Sequence, residues 1–436
     1  MGGRVFHLSR RLRSSRFGAT ATVFMGNSLS AGMGFLILAF LARTLKPSEF
    51  GTLSPIVAVL DTGQLLIDSV LTLGMLHVAS KYAVQAPQVS NMALKIGLWT
   101  RLAVGLAIGL VGVIASRWIS VFLLETPDWS GEIMLMFVAI APISTYTFVT
   151  FVLQTRERFV TLAIVSLCKN GFRLVLIGGI FLLGLLSVTS VVWSYAAAAI
   201  AAAAFGLFFV RAGPFLTPGI DRSILKEIFS VNKWMVLAAI GILGARIDIL
   251  MLTRISTSVQ VAWYTAAFQL CMVFGILSQA LVTTLFPRTS KLSSAQEVRR
   301  HVLTCLKYAP FVLAAGAAVT LVSPWIVPLL LGKAYAATTG VFNILLFSSL
   351  VTLLMNPILL VFFPMNWSSM FGMASLLQLL LRIALNLLLI APYGAMGAGV
   401  ADLASKILIT AGMLCAVAWR MRRMEREGIA GGTVAG

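Results

Sequence analysis

Ten charged side chains stand inside long apolar stretches of this sequence: Arg101, Lys169, Arg173, Arg246, Arg382 and Lys406, with Asp61, Asp68, Asp248 and Asp402. An ionisable group at mid-membrane costs at least about 2.5–3.5 kcal/mol on insertion scales, so it faces a wet cavity or a partner. Lys169 and Arg173 are four residues apart and share one helical face. An excess of cations over acids suits an anionic ligand such as a phosphate, whose desolvation several hydrogen-bonded cations offset. The alternative for each is structural: pairing with backbone carbonyls, or snorkelling to the interface. Asp402 and Lys406, also four apart, either neutralise each other or leave the carboxylate to bind an ion. Asp61 and Asp68 are seven apart, about 10–11 Å along one face and too far to share a proton directly. Either one takes a proton or sodium ion, or both satisfy cations on neighbouring helices. Asp68 is favoured for coupling because it lies deeper in its helix. Asp248 reads as a solvated helix end. The four cysteines (Cys168, Cys271, Cys305, Cys415) and three histidines (His7, His77, His301) lack metal-ligand spacing, and no GxxxxGK[ST] phosphate loop occurs. No cofactor is expected beyond a coupling proton or sodium ion.

The elements that position these residues follow from composition. Of 436 residues, 59% are hydrophobic and 11% charged, against about 25% charged in soluble domains. With a mean hydropathy of +0.97, this excludes a soluble globular chain. A helix needs roughly 20 apolar residues to cross a core of about 30 Å. Twelve such runs occur, at 20–44, 52–79, 93–116, 132–154, 159–184, 187–210, 230–253, 261–286, 305–331, 338–363, 367–391 and 395–419. With the N-terminus inside, 22 of the 33 cations fall on cytoplasmic segments and five on outer ones. The net charge of +19 therefore reports orientation, with both termini cytoplasmic, rather than a nucleic-acid partner. The longest connections, 211–229 and 287–304, are too short for a soluble catalytic domain. Nine tryptophans fall mostly near expected interfaces, as an aromatic belt does.

The chain also repeats itself. Arg43 follows the first helix and Arg254 the seventh, 211 residues apart, each with a small residue eight positions later. Arg173 precedes Gly184 by eleven, and Arg382 precedes Gly394 by twelve. The expected organisation is a basic N-terminus (1–19), a first lobe (20–210), a cytoplasmic linker (211–229), a second lobe (230–420) and a tail (421–436). The fold class is all-α integral membrane, with twelve spans in two pseudo-symmetric six-helix lobes and a central cavity. As repeat mates, Arg173 and Arg382 are expected on opposite lobes across that cavity.

Four stretches carry a family resemblance. They are Ala42-Arg43-Thr44-Leu45-Lys46-Pro47-Ser48-Glu49-Phe50-Gly51; Arg246-Ile247-Asp248-Ile249-Leu250-Met251-Leu252 running on to Tyr264-Thr265-Ala266-Ala267; Phe286-Pro287-Arg288-Thr289-Ser290-Lys291-Leu292; and Arg382 with Asn386 and Tyr393-Gly394-Ala395-Met396-Gly397-Ala398. Gly332 with Tyr335 is similar to a further feature. In these the chain resembles the polysaccharide-biosynthesis flippases, of the superfamily that includes multidrug antiporters and lipid-linked peptidoglycan-precursor flippases. Ala262-Trp263 departs from the Val-Gly usual before the tyrosine. The resemblance implies no enzyme, but movement of an undecaprenyl-pyrophosphate-linked oligosaccharide or polysaccharide precursor across a bacterial or archaeal cytoplasmic membrane by alternating access. Its implied partners are the lipid-linked glycan, membrane lipids, glycosyltransferases and a polysaccharide polymerase. Rival readings are a drug or metabolite cation antiporter of the same superfamily, and a non-transporting scaffold of a glycan-assembly complex. A membrane glycosyltransferase lacks the outer catalytic loop it would need.

Overall fold

The computed structural model describes residues 16–82, 86–210, 221–226, 228, 246–289, 294–362, 365 and 367–426. Most of the basic N-terminus and of the 211–229 linker lies outside the described residues, as do the first part of the 230–253 run, the Ser290-Lys291-Leu292 end of the third stretch and the tail beyond 426. Among the described residues there is no strand. The first half comprises α1 (Arg16–Thr44), α2 (Pro47–Lys81), α3 (Pro87–Leu124), α4 (Ser130–Thr155), α5 (Phe159–Leu182) and α6 (Val188–Phe208). The second comprises α7 (246–255), α8 (Ser258–Thr289), α9 (Ala295–Lys307), α10 (Ala309–Leu331), α11 (Thr338–Leu359) and α12 (Ser368–Arg426). The last is broken at Gly394, whose φ of 55° and ψ of −129° are not helical.

Among the described residues, nine helical stretches are long and apolar enough to cross a membrane, so the chain is a multi-pass membrane protein. The difference from the twelve runs has local causes. The apolar part of α1, Ser28–Thr44, is short, and α12 joins the last two expected runs across the Gly394 break. The seventh run lies largely outside the described residues.

Local sequence signals place the helix ends. Pro47 starts α2, and the Glu49 carboxylate accepts the Lys46 N–H at 3.1 Å. Reciprocal capping boxes open α6 (Ser187 with Ser190) and α9 (Ser294 with Glu297). Positive-φ residues follow related helices of the two halves. Glu125 after α3 and Gly332 after α10 lie 207 residues apart; Gly184 after α5 and Gly394 within α12 lie 210 apart. These spacings match the sequence repeat.

The chain divides into two compact units, Met1–Leu41 with Pro55–Ala239, and Ala42–Ser54 with Ile240–Gly436. In the first, α4 and α6 provide much of the core. Their small residues let backbones approach, as where Gly206 meets Val149. Large apolar side chains on α3, including Leu106, Leu110, Val111 and Ile114, are exposed, as lipid-facing residues are. In the second unit α8, which buries Val261, Ala262, Tyr264, Ala266 and Ala267, packs against α11, which buries Val341, Phe342 and Leu345.

The turn between α1 and α2 belongs to the second unit, whereas the sequence halves put it with the first six helices. The reason is its contacts. Arg43 Nε donates to the Leu330 carbonyl at 3.0 Å and Nη2 to that of Leu329, capping the end of α10. Phe50 meets buried Tyr335 edge to face at 6.1 Å. Gly51 lies so close to Ser258 that a Cβ would fall 1.7 Å from its carbonyl oxygen. Pro55, within α2, marks the boundary.

Candidate functional site

Each unit holds its own cluster of intramembrane charge. In the first, Arg101 of α3 is 1% exposed. Its Nη1 donates to Asp68 Oδ1 of α2 at 2.8 Å and to Thr147 Oγ1 of α4 at 3.0 Å. Phe151, one turn after Thr147, lies under the same guanidinium at 4.7 Å. Asp68 also accepts a long hydrogen bond from Gln64 at 3.4 Å.

Lys169 of α5 lies over the Tyr146 ring at 5.3 Å, in the electrostatic field of Asp61, Asp68 and Arg173. Arg173, one turn further, stacks on Tyr195 of α6 at 3.7 Å, and its Nε is buried without a hydrogen-bond partner. Between these cations, Asn170 Nδ2 donates to the Ser30 carbonyl at 2.7 Å and to Ser30 Oγ at 3.1 Å. Ser30 Oγ itself donates to the Ser166 carbonyl at 2.9 Å, pinning α1 to α5. The structure thus gathers Arg101, Lys169, Arg173, Asp61 and Asp68 into one polar region with three cations and two acids. Tyr146, Thr147, Asn170 and Tyr195 are partners that the charged-residue search passed over. A search for polar and aromatic side chains one turn from, or on helices next to, the intramembrane cations would have found them.

The second unit's cluster has a different balance. Arg382 is buried, and its Nε donates to Asp248 Oδ1 at 2.8 Å while Nη2 donates to Asp248 Oδ2. The same Nη2 pairs with Asp402 Oδ1 at 2.7 Å. Asp248 further accepts from the Tyr264 hydroxyl and from Asn386 Nδ2 at 2.7 Å. Asp402 Oδ2 accepts from Ser348 and from Lys406 Nζ at 2.9 Å, so the i,i+4 pair forms. Lys406 also reaches Ser348 Oγ at 2.8 Å. Two bases meet two acids. Asp248 is therefore not a solvated helix end; it is 0% exposed. Position along a helix says nothing of lateral burial, and Asp248 points into the unit. Arg246 itself stacks on Phe268 at 5.2 Å.

Arg173 and Arg382, repeat mates in sequence, are each met from the following helical segment. Arg173 of α5 meets an aromatic ring on α6, whereas Arg382, before the Gly394 break, meets a carboxylate after it. The repeat holds in placement and departs in chemistry: the first arginine meets a ring, and the second meets two carboxylates. Among the described residues no group of three or more histidine, cysteine or acidic side chains is arranged to hold a metal.

Comparison with known proteins places this arrangement. The fold is similar to an inward-closed lipid II flippase MurJ, at a TM-score of 0.71 and 13% identity, covering 92% of this chain and 87% of that one. It is also similar to an inward-facing multidrug resistance MATE family transporter of the MOP superfamily, at 0.69 and 13%, covering 91% and 96%. A third is a MOP superfamily transporter from Pyrococcus furiosus, described as having a binding pocket of reversed polarity that suggests a different function. It matches at 0.59 and 14%, covering 95% and 98%. A search of curated proteins found no match. The fold is that of the MOP-superfamily transporters and flippases. The model of one family, described as polysaccharide biosynthesis protein, matches residues 19–293, and so the chain belongs to the polysaccharide biosynthesis protein family.

Proposed function

We propose that this chain is a flippase that moves an undecaprenyl-pyrophosphate-type oligosaccharide or polysaccharide precursor across the cytoplasmic membrane by alternating access. It performs no covalent chemistry, and both termini face the cytoplasm. One observation carries the reading. Arg173 sits at membrane depth beside Lys169 with no ion-pair partner among the described residues, and its Nε is unsatisfied. A half-buried guanidinium with no carboxylate partner among the described residues favours an anionic ligand, and phosphate oxygens match its planar donors two at a time. Family membership and the likeness to a lipid II flippase support a glycan-linked lipid as cargo. A cation antiporter would favour the opposite local charge.

Lys169 and Arg173 are the proposed phosphate ligands. Arg101 stands behind them, holding Asp68. Arg382 and Lys406 instead keep Asp248 and Asp402 in place, and Arg246 is held against an aromatic ring. Glycosyltransferases and a polysaccharide polymerase are the proposed partners in the assembly path. The test is flipping of a fluorescent lipid-linked oligosaccharide in vesicles reconstituted with purified protein. Arg173→Ala is expected to reduce the rate at least tenfold with insertion intact, and Arg173→Lys to recover only part of it. An unchanged rate in Arg173→Ala and Lys169→Ala would reject the anionic site.

A further inference from the structure

Helix α9 (Ala295–Lys307) is the one described helix whose two faces differ sharply in chemistry. Val298 and Val302 are buried against Ile358, Val361, Phe362, Trp367 and Val417. His301 Nε2 lies 3.0 Å from the Pro357 carbonyl, fixing the helix to the end of α11. The opposite face presents exposed Arg299, Arg300, Leu303, Thr304 and Lys307, which with Gln296 line a shallow groove of about 290 Å³. Among the described residues no carboxylate lies within ion-pair distance of Arg299, Arg300 or Lys307.

Its depth follows from the next helix. α10 has 23 residues, about 34 Å of helix, which already fills a hydrocarbon core of about 30 Å. α9 therefore lies at or beyond the headgroups. At the junction Tyr308 and Phe311 are exposed at 61% and 74%, as interfacial aromatics are. A helix docked by one apolar face, basic on the other, with exposed Leu303 and Tyr308 beside the cations, matches a surface of anionic lipid in both charge and apolar contact.

We propose that the outer face of α9 is a docking site for anionic lipid headgroups, with Arg299, Arg300 and Lys307 receiving the phosphates and Leu303 and Tyr308 lying against the upper acyl chains. The chemistry recognised is a lipid phosphodiester. This site is separate from the α2–α5 cluster and does not depend on which cargo is moved.

The test is lipid retention by the purified full-length protein, read by native mass spectrometry after exchange into phosphatidylcholine with or without phosphatidylglycerol. Each cation near the surface contributes about fivefold in lipid affinity. Arg299→Gln/Arg300→Gln/Lys307→Gln is thus expected to lower phosphatidylglycerol retention on the order of a hundredfold and leave phosphatidylcholine retention unchanged. Raising salt from 0.05 to 0.5 M should weaken phosphatidylglycerol retention by the wild-type chain, a measurement that needs no variant. Millimolar inorganic phosphate should not displace the lipid; displacement would mean that a free anion, not a headgroup in a bilayer, is the ligand. Equal retention by the triple variant, or no preference for phosphatidylglycerol in the wild type, overturns the proposal.

Discussion

At the scale of single residues, buried charge that is matched and buried charge that is unmatched serve different ends. Arg382 bridges Asp248 and Asp402, so removing it leaves the buried Asp248 carboxylate without a cation, while Asp402 keeps Lys406. Arg382→Met should destabilise the protein by about 3–5 kcal/mol. Asp248→Asn combined with Arg382→Gln should cost less than the two separately, with a coupling of about 0.5–3 kcal/mol. Thermal unfolding in detergent measures both. Asp68 is in the same position toward Arg101, so Asp68→Asn should lower unfolding temperature together with transport. Asp68→Asn should also weaken the dependence of transport on a proton or sodium gradient, with Asp61→Asn doing less. An unchanged unfolding temperature in Asp68→Asn would remove the structural role assigned to Asp68. The sequence displayed every one of these charged residues, because charge in an apolar run is conspicuous. It also offered the local Asp402–Lys406 pair; what it hid was the long-range pairing. Asp248 meets Arg382 from 134 residues away, and nothing local to either reveals the other.

At the scale of elements, glycines separate strain from crowding. Gly184 has φ of +70° with open space around it, so Gly184→Ala should cost about 1 kcal/mol through backbone strain alone. Gly51 is helical, but its missing side chain admits the Ser258 carbonyl, so Gly51→Ala forces backbones apart and should cost more. Gly394 combines both conditions, since a Cβ would lie 2.7 Å from Gln260, whose Oε1 accepts the Ala395 N–H at 2.9 Å. Gly131→Ala, in open space and without unusual backbone, should be neutral. The unfolding temperatures should therefore order Gly131→Ala above Gly184→Ala, with Gly51→Ala and Gly394→Ala lowest. These helix ends were legible beforehand: Gly184 and Gly394 stood out by their spacing from Arg173 and Arg382. The joining of the last two runs into one broken helix was not, because a kink and a loop leave the same mark in hydropathy.

At the scale of the whole molecule, the bias of positive charge toward alternate connections predicts an orientation for the chain. Single cysteines at residue 48 and residue 218, in a background lacking the four native ones, should react with an impermeant maleimide from opposite sides of the membrane. Reaction from the same side would reject the odd number of crossings, five, between them. The repeat was legible from spacing, and the positive-φ residues 207 and 210 apart agree with it. The placement of residues 42–54 was not, because the contacts of Arg43 with the end of α10 join positions 286 and 287 residues apart. That separation sets a timetable for biosynthesis. The ribosome adds roughly 5–20 residues per second, so the first turn emerges about 14–57 s before the carbonyls it caps exist. During that interval Arg43 and Phe50 have no native counterpart, although Ser258, which Gly51 meets, is made earlier, and the second unit completes its core only when its own late helices reach back to one of the earliest pieces of the chain. A nascent chain stalled before residue 331 should therefore leave this turn open to protease or to a membrane chaperone, and a release past that point should close it.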